Sequence, residues 1–190
     1  MDPQIKHLQL LGSESSRLIM KPFSIKDAED MFEYTSDPDS CKFLNWGPHS
    51  SVSEAVDFLK KVEKKKNDPD DINWGIYLKE TGKLIGSVRI YEINTQQGSV
   101  LMSYMLNPAF ARKGYMSECI TTAINACSSF LNTKIIRCDI ADENIASIRV
   151  AEKCSMIPDA SIEPWYIETK GKRLRVRKYV FFVDADGSEQ

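Results

Sequence analysis

Asn107-Pro-Ala-Phe-Ala-Arg-Lys-Gly-Tyr-Met-Ser-Glu118 is the stretch on which the reading of this chain turns. An apolar run, Val100-Leu-Met-Ser-Tyr-Met-Leu106, precedes it and predicts a strand. Met116, Cys119, Ile120, Ala123, Ile124, Cys127, Phe130 and Leu131 follow at helical spacing, so a helix with one buried face opens near Gly114. Strand, short glycine loop and helix together make an anion site. The first N–H groups of a helix have no intrahelical acceptor, and the dipole makes that end positive. Arg112 and Lys113 add full charges there, and Gly114 lets the backbone approach a ligand without a Cβ in the way.

A second constellation lies downstream. Asn144-Ile-Ala-Ser-Ile-Arg-Val-Ala-Glu-Lys-Cys-Ser-Met156 reads as a capped helix after another apolar strand, Lys134-Ile-Ile-Arg-Cys-Asp-Ile-Ala141. In this order the two segments resemble the acetyl-CoA-binding core of the GNAT acetyltransferases, and most of all their Rim-type branch, which includes the N-terminal acetyltransferases of ribosomal proteins. The first pattern is carried by Pro108, Phe110, Lys113, Gly114, Tyr115, Met116, Ser117 and Glu118, the second by Asn144, Ser147, Val150, Glu152 and Lys153. Ala111 stands where that family usually has Gln or Arg, and Met116 where it has a small residue. Ser155 and Met156 replace a Gly-Phe pair. None of these departures removes a backbone donor. Arg17-Leu-Ile-Met-Lys-Pro-Phe23 resembles the opening strand and Lys83-Leu-Ile-Gly-Ser-Val88 the central hairpin.

The resemblance implies an α/β (α+β) fold, a single GNAT-type domain over residues 15–184. Its central twisted sheet is mixed and mostly antiparallel, with about seven strands, about four flanking helices and strands splayed at the CoA site. Residues 1–14 form an N-terminal arm and 185–190 a C-terminal tail. Independently of the resemblance, strands are expected at about 16–23, 73–79, 83–93, 97–106, 134–141, 159–168 and 173–184. Further helices are expected at about 25–35, capped by Ser24, and at about 52–66, with its lysines facing solvent.

Composition agrees with one such domain. A chain of 190 residues buries one sizeable core, and its net charge of −2 argues against a whole-protein nucleic-acid binder. No apolar run approaches the length of a membrane span, and the first residues are polar and mixed, so neither membrane association nor a signal peptide is expected. Cys41, Cys119, Cys127, Cys138 and Cys154 contain no CxxC and read as free, mostly buried thiols, which suits a cytoplasmic protein. His7 and His49 are the only histidines and sit in no ligand cluster, so no metal is expected.

The resemblance assigns roles residue by residue. Pantetheine would pair with the backbone at Met105 and Leu106. The diphosphate would cap the helix at Arg112, Lys113, Gly114, Tyr115, Met116 and Ser117. Asn144 and Ser147 would face the pantetheine from the other side. Ser147 is the candidate to protonate the departing thiolate, whose ordinary pKa is near that of cysteine, about 8.5. Glu92 and Tyr104 are the candidate bases. Members of the family often carry a Glu where Leu101 and Ser103 stand here, which weakens the case for a strong base and favours an α-amine, with its pKa near 8, or another low-pKa amine as acceptor. Trp46 and His49 are candidates for the acceptor wall, and the row Arg173, Arg175, Arg177 for receiving an acidic acceptor, with Arg175 at its centre.

The function expected is transfer of an acetyl group from acetyl-CoA to a primary amine in a ternary complex, in a monomer or homodimer. Acetylation of a small amine (aminoglycoside, polyamine or amino acid) and a non-catalytic acyl-CoA-binding module are the alternatives.

Overall fold

Alternation in Val100–Leu106 sends Val100 and Met102 to one face and Leu101, Ser103 and Met105 to the other, and the whole sheet is organised around that division. A computed structural model describes residues 12–183. Among them, nine strands form one sheet. They are β1 (Ser13–Glu14), β2 (Leu18–Pro22), β3 (Asp71–Leu78), β4 (Leu84–Asn94), β5 (Ser99–Leu106), β6 (Ile135–Ala141), β7 (Ile157–Pro158), β8 (Trp165–Thr169) and β9 (Lys172–Phe182). The helices are α1 (Ala28–Thr35), α2 (Val52–Lys64), α3 (Tyr115–Leu131) and α4 (Ile145–Lys153). Strand order is β1-β2-β3-β4-β5-β6-β9-β7, with β8 paired on β9. Every pairing is antiparallel except β5 with β6. This is the single mixed α/β domain with four helices expected from the sequence.

The strand count is higher than the seven expected. Ser13–Glu14 and Ile157–Pro158 pair over two residues each, too short for periodicity to register. The strand expected at 159–168 is interrupted where the Asp159 carboxylate accepts from Ser161 and turns the chain, leaving only Trp165–Thr169. Ser13 and Glu14, placed in the arm, pair with β2, while residues 1–11 and the tail lie outside the described residues.

The main core fills the space between the sheet and α3 with α4. Met116, Cys119, Ile120, Ala123, Ile124, Cys127 and Leu131 pack there against Trp74, Val88, Ile90, Val100, Met102, Ile136 and Cys138. A second cluster lies under α1 and α2 on the opposite face, with Met31, Tyr34, Ala55, Leu59, Tyr77 and Leu84 buried and Met105 packed against them. A third joins Ala141, Leu174 and Val176 to Phe43, Trp165 and Ile167. Phe43 belongs to the α1–α2 connection, so that connection crosses the α1 face of the sheet. Thr169 Oγ1 donates to the Leu44 carbonyl (2.8 Å), and Lys170 Nζ donates to that of Cys41. All five cysteines are free and buried. No helix among the described residues is long and apolar enough to cross a membrane.

Candidate active site

The parallel pairing of β5 with β6 covers only Ser99–Leu101 against Ile135–Arg137. On its other side β5 stays paired with β4 to the end, at Gly86↔Leu106. From Met102 onward β5 therefore presents the backbone groups of its β6-facing edge to an opening. A strand edge of this kind can take a ligand that hydrogen-bonds like a strand. Gly86 lets β4 hold β5 in place, since a Cβ there would lie 2.4 Å from the Met105 carbonyl oxygen.

Beyond the opening the chain turns sharply. Asn107 Oδ1 accepts from Ala109 N–H and caps the 3-10 turn Pro108–Phe110. Arg112 (φ 63°) and Gly114 (φ 80°) then both take left-handed backbone conformations, so the loop reverses twice within three residues. Such alternation turns successive N–H groups toward one concavity. The first helical bond of α3 runs from Glu118 N–H to the Gly114 carbonyl, leaving the N–H groups of Tyr115, Met116 and Ser117 without helical acceptors. Gly114 is suited to its φ, and a Cβ there would have only Arg17 Nη2, at 3.5 Å, within 4 Å, so the space above the loop is open. Arg112 and Lys113 are exposed, whereas the Met116 side chain is buried in the core, so this methionine can offer a ligand only its backbone. Backbone donors, a helix N-terminus, two adjacent cations and a glycine cradle fit a diphosphate, and the open β5 edge fits an amide-bearing arm such as pantetheine.

One residue here escaped the sequence reading. Arg17 stacks its guanidinium over the Tyr115 ring at 4.5 Å and donates from Nη1 to the Lys113 carbonyl (3.1 Å). Its Nε and Nη2 bind Glu118 Oε2 at 2.7 and 2.6 Å. Glu118 Oε1 also accepts from Ser15 Oγ (2.6 Å), Ser16 Oγ (3.0 Å) and Arg17 N–H (2.9 Å). Burial works against the Glu118 charge, but the hydrogen bonds from Ser15, Arg17 and Ser16 outweigh it and hold the carboxyl at about 2. The opening strand is thus tied to the glycine loop across 101 residues of sequence. A sequence signal existed: Arg17 and Glu118 each lie inside a quoted motif, but nothing in sequence spacing pairs them.

On the other side of the opening, Asn144 Oδ1 accepts from Ser147 N–H (3.1 Å) and caps α4. Tyr104 Oη donates to the Ser147 carbonyl at 3.0 Å, so Tyr104 and Ser147 meet on the α3 face of the opening. Burial raises Tyr104 far above the usual tyrosine range. It stays protonated and acts as a donor, a poor arrangement for a base. Glu92 is not brought to this group. It is exposed in the irregular stretch of β4 (φ 51°), four residues beyond Val88, the partner of Tyr104, and so roughly 13 Å along the strand. It lines a cavity of about 950 Å³ at the β4–β5 hairpin end, with Asp71, Arg89, Tyr91, Leu101 and Arg137.

Trp46 and His49 do come together, stacked with ring centroids 5.4 Å apart and Phe58 beside them. Thr35 Oγ1 donates to the Met31 carbonyl, so it must accept from His49 Nδ1 (2.9 Å), which fixes the hydrogen on that nitrogen. Burial lowers the His49 pKa, with Glu54 opposing, and the neutral ring keeps a lone pair on Nε2.

Arg175 does not join Trp46 and His49. Alternation along β9 puts Leu174 and Val176 under Phe43 and turns Arg173, Arg175 and Arg177 to the α3 face. There Arg175 Nη1 (3.0 Å) and Arg177 Nε and Nη2 (2.6 and 2.9 Å) bind Asp142, and the Arg177 guanidinium holds that carboxyl below its usual range. Arg173 lies over Tyr166 at 4.0 Å. The row expected to receive an acidic acceptor is thus partly neutralised and on the face turned from Trp46 and His49, because strand alternation shows which residues share a face but not which face the α1–α2 connection covers.

Comparison with known proteins follows the same lines. A family model described as the acetyltransferase (GNAT) domain matches residues 17–157. The uncharacterized N-acetyltransferase p20 of Bacillus licheniformis is 26% identical over 167 residues, 88% of this chain and 92% of that protein. The spermidine N-acetyltransferase of Vibrio cholerae, solved with CoA and spermine, has a TM-score of 0.74 at 19% identity, over 88% of this chain and 96% of that one. RimL, a ribosomal L7/L12 alpha-N-protein acetyltransferase solved with coenzyme A, gives 0.76 at 15% identity, over 90% and 97%. The family match spans β2, the glycine loop and the Asn144 helix together, and the chain belongs to the GNAT acetyltransferase family.

Proposed function

We propose that this chain binds acetyl-CoA in the opening between β5 and β6 and transfers the acetyl group directly to the α-amine of a protein or peptide. One observation carries the reading: strand pairing stops after Leu101↔Arg137 beside a helix N-terminus whose N–H groups lack helical acceptors. Backbone at Met105 and Leu106 would hold the pantetheine arm, and the loop from Arg112 to Ser117 the diphosphate. Acetyl-CoA supplies an activated thioester carbonyl. Asn144 caps the first turn of α4 by accepting from Ser147 N–H, and the Ser147 hydroxyl would hydrogen-bond the departing sulfur. Tyr104, protonated and donating its one hydroxyl hydrogen to the Ser147 carbonyl, fixes the position of that turn, and its oxygen keeps lone pairs that can accept a hydrogen bond.

The α-amine is favoured because its pKa near 8 leaves a fair neutral fraction at pH 7, and neither Tyr104 nor Glu92 is placed as a strong base. RimL, similar in fold, is named for α-N-protein acetylation. A small cationic amine is the second reading, favoured by the Trp46, His49 and Phe58 rings, whose faces suit a cation. Release of CoA thiol from acetyl-CoA, measured with peptides bearing free N-termini, polyamines and aminoglycosides, tests the assignment. Turnover fastest with peptides, with the acetyl group found on the α-amine by mass spectrometry, supports it. Turnover with polyamines alone selects the second reading, and binding without turnover of any amine contradicts both.

A further inference from the structure

The α1–α2 connection, which carries the candidate acceptor wall of Trp46 and His49, covers the sheet face opposite α3, and on the function proposed above the acceptor amine meets its base on that face. On β6, Ile136, Cys138 and Ile140 point into the α3 core. Arg137 and Asp139 therefore point to the α1 face. The last β5–β6 pair is Leu101↔Arg137. Two residues further on, where the strands have parted, Ser103 on β5 and Asp139 on β6 stand level on either side of the opening. Asp139 is thus the carboxylate that register and alternation bring to the acceptor side of the gap.

Its surroundings suit proton transfer. On β9, Lys178 lies directly opposite, with Nζ 3.6 Å from Asp139 Oδ1. That ammonium is in turn 5.6 Å from the Trp165 ring on β8. On β4, Glu92 acts on Asp139 through space, as Asp139 does on Tyr91. Arg89, also on β4, is committed to Asp71 by two hydrogen bonds of 2.7 and 2.8 Å. Arg137, on the same strand, precedes the opening. The Asp139 side chain is 29% exposed. Burial raises its pKa above the ordinary aspartate range, and the Lys178 charge limits that rise. A carboxylate with one oxygen in a loose ion pair keeps the other for a ligand.

We propose that Asp139 is the general base of the reaction, accepting a proton from the acceptor's ammonium group. The proposal rests on the reading of the β5–β6 opening as the acetyl-CoA site. Asp139 takes one proton from R–NH₃⁺. The amine nitrogen then bonds to the acetyl carbon as the carbon–sulfur bond breaks with its electron pair on sulfur. The second proton lost by nitrogen goes to that sulfur, giving the amide and the thiol. Asp139 returns its proton to solvent.

The test is the pH profile of kcat/KM for Asp139→Asn, with seryl-alanyl-alanine amide and spermidine as amine probes. Without the base only the already neutral amine reacts, and its fraction rises tenfold per pH unit up to its own pKa, about 8 for the peptide. The variant should lose about 30- to 100-fold at about pH 6.5, the size expected of general-base catalysis, and come within about threefold of the parent near pH 9. Lys178→Met removes the cation that limits the rise in the Asp139 pKa, so its acidic limb should move to higher pH. A loss that is the same at every pH, no loss, or an unmoved limb in Lys178→Met overturns the role of Asp139. Acetyl-CoA affinity, measured by calorimetry, should be unchanged in Asp139→Asn and weakened in Gly114→Val. Indifference to Gly114→Val overturns instead the site on which the proposal rests.

Discussion

Glu118 offers a quantity that can be worked out from the structure and measured without any substrate. Its carboxylate is 16% exposed and receives Ser15, Ser16 and the Arg17 backbone and guanidinium. The folded protein holds it at about 2 against an ordinary 4.5. At 1.36 kcal/mol per pH unit, that difference corresponds to about 3 kcal/mol of folding free energy. Arg17 is 46% exposed, so solvent screening reduces the figure to about 2 kcal/mol. The sign follows from the direction. A carboxyl with a lowered pKa in the folded state contributes stability above its unfolded pKa and loses it as pH falls through the folded one. The contribution should be whole above about pH 5 and gone near pH 2. Glu118→Gln keeps the shape and removes the charge. In urea denaturation it should be about 2 kcal/mol less stable than the parent at pH 7, and the gap should close steadily below about pH 4.5. In heat the same loss should lower Tm by roughly 4–8 °C. An equal gap at pH 7 and pH 3, or a gap under about 0.5 kcal/mol at pH 7, would refute the claim that this cluster fastens β2 to the glycine loop.

Other outcomes follow from the same geometry. Gly114→Val forces a β-branched residue into φ 80° and a side chain into the diphosphate cradle, and calorimetry should show acetyl-CoA affinity down at least about tenfold, or 1.4 kcal/mol. Ser147→Ala should lower kcat by about ten- to a hundredfold with little change in acetyl-CoA affinity if, as proposed, the hydroxyl acts on the leaving sulfur; full activity would leave Ser147 a helix residue only. Replacing Arg173, Arg175 and Arg177 together by Gln should leave the acceptor KM nearly unchanged, because that face is turned from Phe43 and Asp142 already occupies two of the three guanidinium groups. A large rise in acceptor KM, lost at high salt, would return the row to the acceptor side.

Local order carried much of this fold into the sequence. The α3 stripe and the Asn144 and Ser24 caps are set by residues within a few positions of each other, and each stands where periodicity and capping chemistry put it. Gly114 and its loop were legible for the same reason. What was not legible depends on contacts between distant residues. The Arg17–Glu118 ion pair spans 101 residues. Asp139 looks like any polar residue in an alternating strand until the register shows that β5 and β6 part just before it. Glu92 and Tyr104 lie on paired strands, but pairing alone does not say how far along them each residue stands. Alternation puts Arg175 on one face with Arg173 and Arg177, and only the packing of Phe43 on Leu174 and Val176 shows that this face is turned from the α1–α2 connection.

The most direct measurement of the central claim is a map of backbone amide NMR shifts as acetyl-CoA is added. The account places the diphosphate on the Arg112–Ser117 amides and the pantetheine along the free edge of β5. The largest shifts should therefore fall at residues 112–117 and 102–106, with smaller ones at Asn144 and Ser147. Shifts concentrated instead around the 950 Å³ cavity at Asp71, Arg89 and Tyr91, with the glycine loop unmoved, would contradict it.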